Sequence, residues 1–192
     1  DECKAMSIEV LGPDVNESNL KFTVNEVGNI RFGLGAVKGV GEGAVQCIVE
    51  ERRANGPFQG IFDFVQRVNL NACNKKNIES LALAGGFDNF PEIKREQFFA
   101  LNSRGEVFIE ALIRYGNRYQ VDKAAATNSL FGGDNVVDVA TPEIPLAPRW
   151  NDLERLNKER ELVGIYLSAH PLDEYAIVLK HVCNTHMDEL DN

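Results

Sequence analysis

Residues 33–43 read Gly33-Leu34-Gly35-Ala36-Val37-Lys38-Gly39-Val40-Gly41-Glu42-Gly43, five glycines in eleven positions. A run this rich in glycine lets a backbone approach a neighbour closely, and the usual neighbour is a phosphate. The sequence on either side changes period here. Upstream, Ile8 to Leu11, Leu20 to Val24 and Ile30 to Phe32 are short strand-like runs, separated by Gly12-Pro13-Asp14 and by a turn around Gly28. Downstream, Ala44, Val45, Ile48 and Val49 recur at helical spacing opposite Glu50, Arg52 and Arg53.

Working outward, Gly56-Pro57 ends that helix, and Ile61, Phe62, Phe64, Val65 and Val68 mark a short second one. Asn74 is placed to cap a further helix through Ile78, Leu81 and Ala84, stopped by Gly85-Gly86. Residues 34–86 therefore read as four short helices in two pairs. A long helix is expected from Glu92 to about Gln120, with Pro91 near its first turn. Ala124 to Pro148 lacks sustained periodicity and reads as an extended linker. Trp150 to Ile165 and Pro171 to His181 read as two more helices. The fold class is mainly α, with a small β element near the N-terminus.

The chain has 192 residues and a net charge of −9, which disfavours a dominant nucleic-acid surface. The charge is uneven: −3 over residues 1–37, +1 over 38–95 and −7 over 96–192. The glycine-rich region is thus the least acidic part, and any phosphate contact there must rest on backbone N–H groups. No apolar run approaches a membrane span of roughly 20 residues. Cys3, Cys47, Cys73 and Cys183 form no metal-ligand spacing, and Cys47 and Cys73 read as core residues in a reduced, cytoplasmic setting. His170, His181 and His186 likewise show no ligand spacing. The start at Asp1-Glu2-Cys3, without methionine, suggests a piece of a longer chain.

Three phosphate chemistries compete for the glycine run. A Walker A loop needs Gly-Lys-Ser/Thr, but Lys38 precedes the glycine pair and no hydroxyl residue follows it. A dinucleotide fingerprint would begin at Gly39-Val40-Gly41 with Ala44 in third place, but it needs a strand before and a βαβ unit after. A helix–hairpin–helix needs a short helix, Gly-hydrophobic-Gly and a second helix. Leu34 and Val37, then Gly39-Val40-Gly41, then Val45, Ile48 and Val49 supply these in order. Backbone N–H groups at the start of the second helix would then face a phosphate without reading base sequence. A plain structural turn between packed helices is the remaining alternative.

Longer blocks carry a resemblance. "IRFGLGAVKGVGEGAV", "IVEERRANGPFQGIFDFVQRVNL" and "NKKNIESLALAGGFD", preceded by "ECKAMSIEVLGPDVNES" and followed by "ERELVGIYLSAHPLDEY", together resemble the alpha subunits of bacterial DNA polymerase III, the C-family replicative polymerases. The resemblance implies the end of a fingers region over 1–33 and a tandem helix–hairpin–helix with its following helix over 34–122. It further implies a linker over 123–149 and a helical segment leading to an OB-fold over 150–192. Metal-binding catalytic aspartates would lie upstream of Asp1. No catalytic residue, metal site or cofactor is therefore expected here, although the parent polymerase would use magnesium.

The resemblance also implies partners: duplex DNA, the sliding clamp (beta subunit), and the rest of the alpha subunit, with no membrane. The DNA backbone would be held by Lys38, Gly39, Val40 and Gly41 in the first hairpin, and by Asn74, Lys75 and Lys76 in a second hairpin without glycines. Thr127-Asn128-Ser129-Leu130-Phe131 resembles the clamp-binding pentapeptide Gln-x-x-Leu-Phe, with Thr127 in place of glutamine. The alternative role is a connector that braces fingers against OB-fold without binding DNA itself.

Overall fold

The computed structural model describes residues 8–128, 139–165 and 167. Three two-residue strands open it: β1 (Val10–Leu11), β2 (Thr23–Val24) and β3 (Ile30–Arg31). β3 lies in the middle, parallel to β1 with Val10 opposite Ile30, and antiparallel to β2 with Thr23 opposite Arg31. A 3-10 turn at Leu34–Ala36 then leads into α1 (Glu42–Asn55), α2 (Ile61–Arg67) and α3 (Lys75–Ala84). No named strand follows β3 among the described residues, so the βαβ setting of a dinucleotide fingerprint does not form.

Local sequence sets these helix limits. Gly56 ends α1 at φ 84° and Gly85 ends α3 at φ 90°, positive values that glycine adopts without steric cost, with Gly85 in the left-handed helical conformation. Asn74 caps α3, its side chain accepting from the Asn77 N–H. The first N–H of α2 has no such local cap. It donates to Glu92 Oε1 at 2.7 Å, so a distant carboxylate closes that helix end.

The long helix differs from the sequence reading at both ends. The segment after Pro91 forms a 3-10 turn at Arg95–Phe99, and α4 runs from Phe108 to Asn128. Asn102 breaks the helix: its Oδ1 accepts from the N–H groups of Arg104 and Glu106, and Gly105 takes φ 74° in the turn. At the other end α4 continues past Gln120 into the expected linker. The Gln120 side chain donates to the Val65 and Val68 carbonyls, and pins that turn of α4 onto α2. Finally α5 spans Asp152–Val163, capped by Asn151. The helix expected over 171–181 lies outside the described residues.

The described segments share one core. Phe58, Phe64, Phe87, Phe90, Phe98 and Phe108 form a buried aromatic chain, joined by Val15 and Phe32 from the N-terminal part and Val163 from α5. Arg52 ties α1 to the Val15 and Ser18 carbonyls. The Arg95 guanidinium meets Glu159 of α5 at 2.9 Å with both side chains buried. The N-terminal strand segment and the last helix are therefore packed on the hairpin helices.

Candidate nucleic-acid interface

The glycine run splits into two parts in space. Gly33 and Gly35 lie against the Leu20-Lys21 backbone, where a Cβ on Gly33 would come within 2.6 Å of the Lys21 carbonyl carbon. They shape the approach. The turn itself is Gly39-Val40-Gly41, with Val40 buried and both glycines exposed. Gly39 has φ 89°, and a Cβ there would meet Ser80 Oγ of α3 at 2.6 Å. Gly41 is the N-cap of α1 in an ordinary extended conformation, and a Cβ there would point into open space. Glycine at 41 is thus required by nothing in the fold; its lack of a side chain leaves the start of α1 uncovered.

Hydrogen bonds decide which N–H groups are available. Lys38 donates its N–H to the Leu162 carbonyl at 2.9 Å, and Val40 donates to the Val37 carbonyl at 3.1 Å. The Gly41 N–H is engaged by Asn77 Oδ1 of α3 at 3.0 Å. The N–H groups of Gly39, Glu42 and Gly43 make no hydrogen bond within the described residues. Open donors therefore lie at Gly39 within the triplet and at Glu42 and Gly43 in the first turn of α1, while Asn77 closes the Gly41 N–H between them.

The second hairpin repeats the first. Cys73, fully buried, precedes the cap Asn74 just as buried Val40 precedes the cap Gly41. Burial pushes the Cys73 thiol up to about 12, so it serves as a small apolar anchor. Lys75 and Lys76 then occupy the helix positions that Glu42 and Gly43 hold in α1. The first turn of α3 carries no carboxylate. Two cations at the positive end of a helix repel its dipole and create a local preference for an anion.

The two lysines differ. Lys75 is drawn away by Glu110 of α4 at 2.5 Å and by Glu79 at 3.8 Å, and its hydrogen bond to Glu110 holds the ammonium above the ordinary lysine range. Lys76 forms no ion pair within the described residues, and its Cε lies 4.0 Å from the Cβ position of Gly39. It therefore sits beside the first hairpin. Lys38 is exposed and also without an ion pair among the described residues. Glu42, exposed on the first turn of α1, suits the helix dipole but opposes a phosphate.

Asn77, Ser80 and Leu162 were not legible as site residues, although each touches the first hairpin. The one available signal was Asn77 itself, a polar residue on the inward face of α3 beside Ile78 and Leu81. The pentapeptide is only partly covered. Thr127 and Asn128 form the last turn of α4, with Thr127 Oγ1 donating to the Lys123 carbonyl, while Ser129, Leu130 and Phe131 lie outside the described residues. No helix of the described residues is long and apolar enough to cross a membrane.

Comparisons with known proteins agree with this architecture. A family model described as a helix-hairpin-helix motif matches residues 7–98. Relatives named DNA polymerase III subunit alpha align with nearly the whole chain. The protein from Vibrio cholerae is 34% identical over 98% of this chain, and that from Pasteurella multocida 34% over 99%. The Chlamydia muridarum protein is 41% identical over 90%. The chain spans 16% of the length of the first two relatives and 13% of the third. With paired hairpins in the fold and homology along nearly its full length, the chain belongs to the bacterial DNA polymerase III alpha family as a segment that carries a helix–hairpin–helix motif.

Proposed function

We propose that this segment holds duplex DNA by its phosphate backbone and tethers the polymerase to the sliding clamp, contributing grip rather than the nucleotidyl transfer step. The observation that carries the DNA reading is the adjacency of two helix starts. The Gly41 N–H bonds Asn77, and the Asn77 N–H bonds Asn74, so the first turns of α1 and α3 open at one surface with Gly39, Lys38 and Lys76 exposed between them. Backbone donors and lysines contact phosphates without reading bases, which suits an enzyme that must hold any sequence. The overall acidity of the chain makes the grip weak in isolation.

Titrating the 192-residue chain into fluorescein-labelled duplex DNA at increasing salt tests the reading. Binding at low salt is expected, with log K falling linearly against log salt. Lack of binding at the lowest salt, or equal affinity for Lys38→Ala/Lys76→Ala, would leave the connector role as the better account. The clamp reading rests on Leu130-Phe131 as an apolar anchor next to the end of α4. Leu130→Ala/Phe131→Ala is expected to abolish capture by immobilised clamp; unchanged capture would remove that part.

A further inference from the structure

We infer that Asn77 is a positioning residue for the DNA grip, joining the two hairpins into one rigid unit. The inference rests on the DNA-holding reading above, but it concerns a residue that is itself buried. Asn77 is 6% exposed and uses three groups at once. Its Oδ1 accepts from the Gly41 N–H at 3.0 Å, its Nδ2 donates to the Ala72 carbonyl at 3.2 Å, and its own N–H donates to Asn74 Oδ1 at 3.2 Å. One side chain thereby links the N-cap of α1, the loop of the second hairpin and the N-cap of α3. No aliphatic residue of similar size can do this, because the Gly41 N–H needs an acceptor and Ala72 a donor. Gly39 packs on Ser80 one turn further along α3, so the first hairpin is seated on α3 by a close contact and a hydrogen bond together. The separation and tilt of the two helix starts are set by this joint, and phosphates along a backbone are fixed in spacing. A grip made of two loosely related hairpins would have to order itself on binding, and that ordering lowers affinity.

The test is duplex binding by the full 192-residue chain carrying Asn77→Ala or Asn77→Asp, with labelled DNA over a salt series. Asn77→Ala is expected to weaken binding about tenfold and to lower the slope of log K against log salt by about one, although no charge has been changed. Asn77→Asp keeps an acceptor for the Gly41 N–H but loses the donor to the Ala72 carbonyl and adds a carboxylate beside the grip, so it is expected to bind no better than Asn77→Ala. Amide hydrogen exchange on the unmodified chain gives a second readout should Asn77→Ala fail to fold. Gly41 is expected to be protected with and without DNA, while Glu42 and Gly43 gain protection only with DNA. A folded Asn77→Ala chain with unmodified affinity and slope would overturn the inference, as would a Gly41 amide that exchanges freely. If Lys38→Ala and Lys76→Ala weaken binding while Asn77→Ala does not, only this inference fails. If neither lysine matters, the DNA-holding reading fails and takes the inference with it.

Discussion

Glu159 of α5 and Arg95 of the 3-10 turn after α3 meet at 2.9 Å, with 1% and 8% of their side chains exposed. Arg95 also binds Asp88 and the Leu83 carbonyl, and Glu159 Oε1 accepts from the Leu167 N–H at 3.0 Å. Burial opposes the charge on Arg95, but Asp88 and Glu159 outweigh it and hold the guanidinium above its ordinary range. This pair fastens the last helix to the hairpin domain, and the same helix supplies the Leu162 carbonyl that fixes the Lys38 N–H.

Breaking one side of that pair should be costly. Glu159→Ala is expected to lower unfolding free energy toward the lower end of the roughly 3–5 kcal/mol range for a broken buried pair, since Arg95 loses its buried counter-charge but keeps Asp88. Arg95→Met/Glu159→Leu should lose much less, because the charge then left without its partner is Asp88, whose side chain is half exposed to water. Urea denaturation of the two variants checks the difference.

Asp14 gives the opposite pH behaviour from an ordinary surface carboxylate. Burial raises its pKa above 3.8, outweighing hydrogen bonds from the Asn16 N–H and the Asn89 side chain. Its contribution to stability is therefore fully present below 3.8 and is lost as pH rises through the raised value in the folded chain. Asp14→Asn keeps the acceptor oxygen for Asn16. The variant's melting temperature is expected to improve relative to the unmodified chain as pH rises above 3.8, and a constant offset with pH would contradict the assignment.

Gly116 opposes two effects of known sign. Replacing a mid-helix glycine by alanine gains up to about 1 kcal/mol of helix propensity. Here a Cβ would lie 2.6 Å from the Val65 carbonyl oxygen, where α4 crosses α2, and overpacking of this kind costs about 1–3 kcal/mol. The clash involves backbone that cannot rotate away, so Gly116→Ala is expected to lower the melting temperature. Thermal unfolding by circular dichroism decides it.

The exposed charges near the hairpins should rank by their partners. Lys38→Ala and Lys76→Ala are each expected to reduce the salt slope of DNA binding by about one. Lys75→Ala should change it less, because Glu110 already holds that ammonium. Glu42→Gln, which removes an exposed carboxylate beside the open N–H groups of α1, is expected to strengthen binding a few-fold. An equal effect for all three lysines would contradict the geometry.

Much of the local structure was written in short stretches. Gly56, Asn74 and Gly85 mark helix ends because capping depends on a residue's own backbone freedom or its own side chain, and Val45, Ile48 and Val49 announce an inward face by spacing alone. The Gly39-Val40-Gly41 turn was legible for the same reason, since positive φ at 39 and a buried anchor at 40 are local demands. The start of α4 was not, because helical spacing continues through Asn102 while that side chain binds the backbone of Arg104 and Glu106 and forces a turn. The site needed the tertiary structure most. Which N–H groups stay open depends on Asn77, 36 residues from Gly41, and which lysine is free depends on Glu110 of another helix. Sequence by itself determined where the chain turns and which family it resembles. Only the packing of α3 and α5 onto the hairpin decided which of its groups can face a phosphate, because availability is set by partners brought from far along the chain.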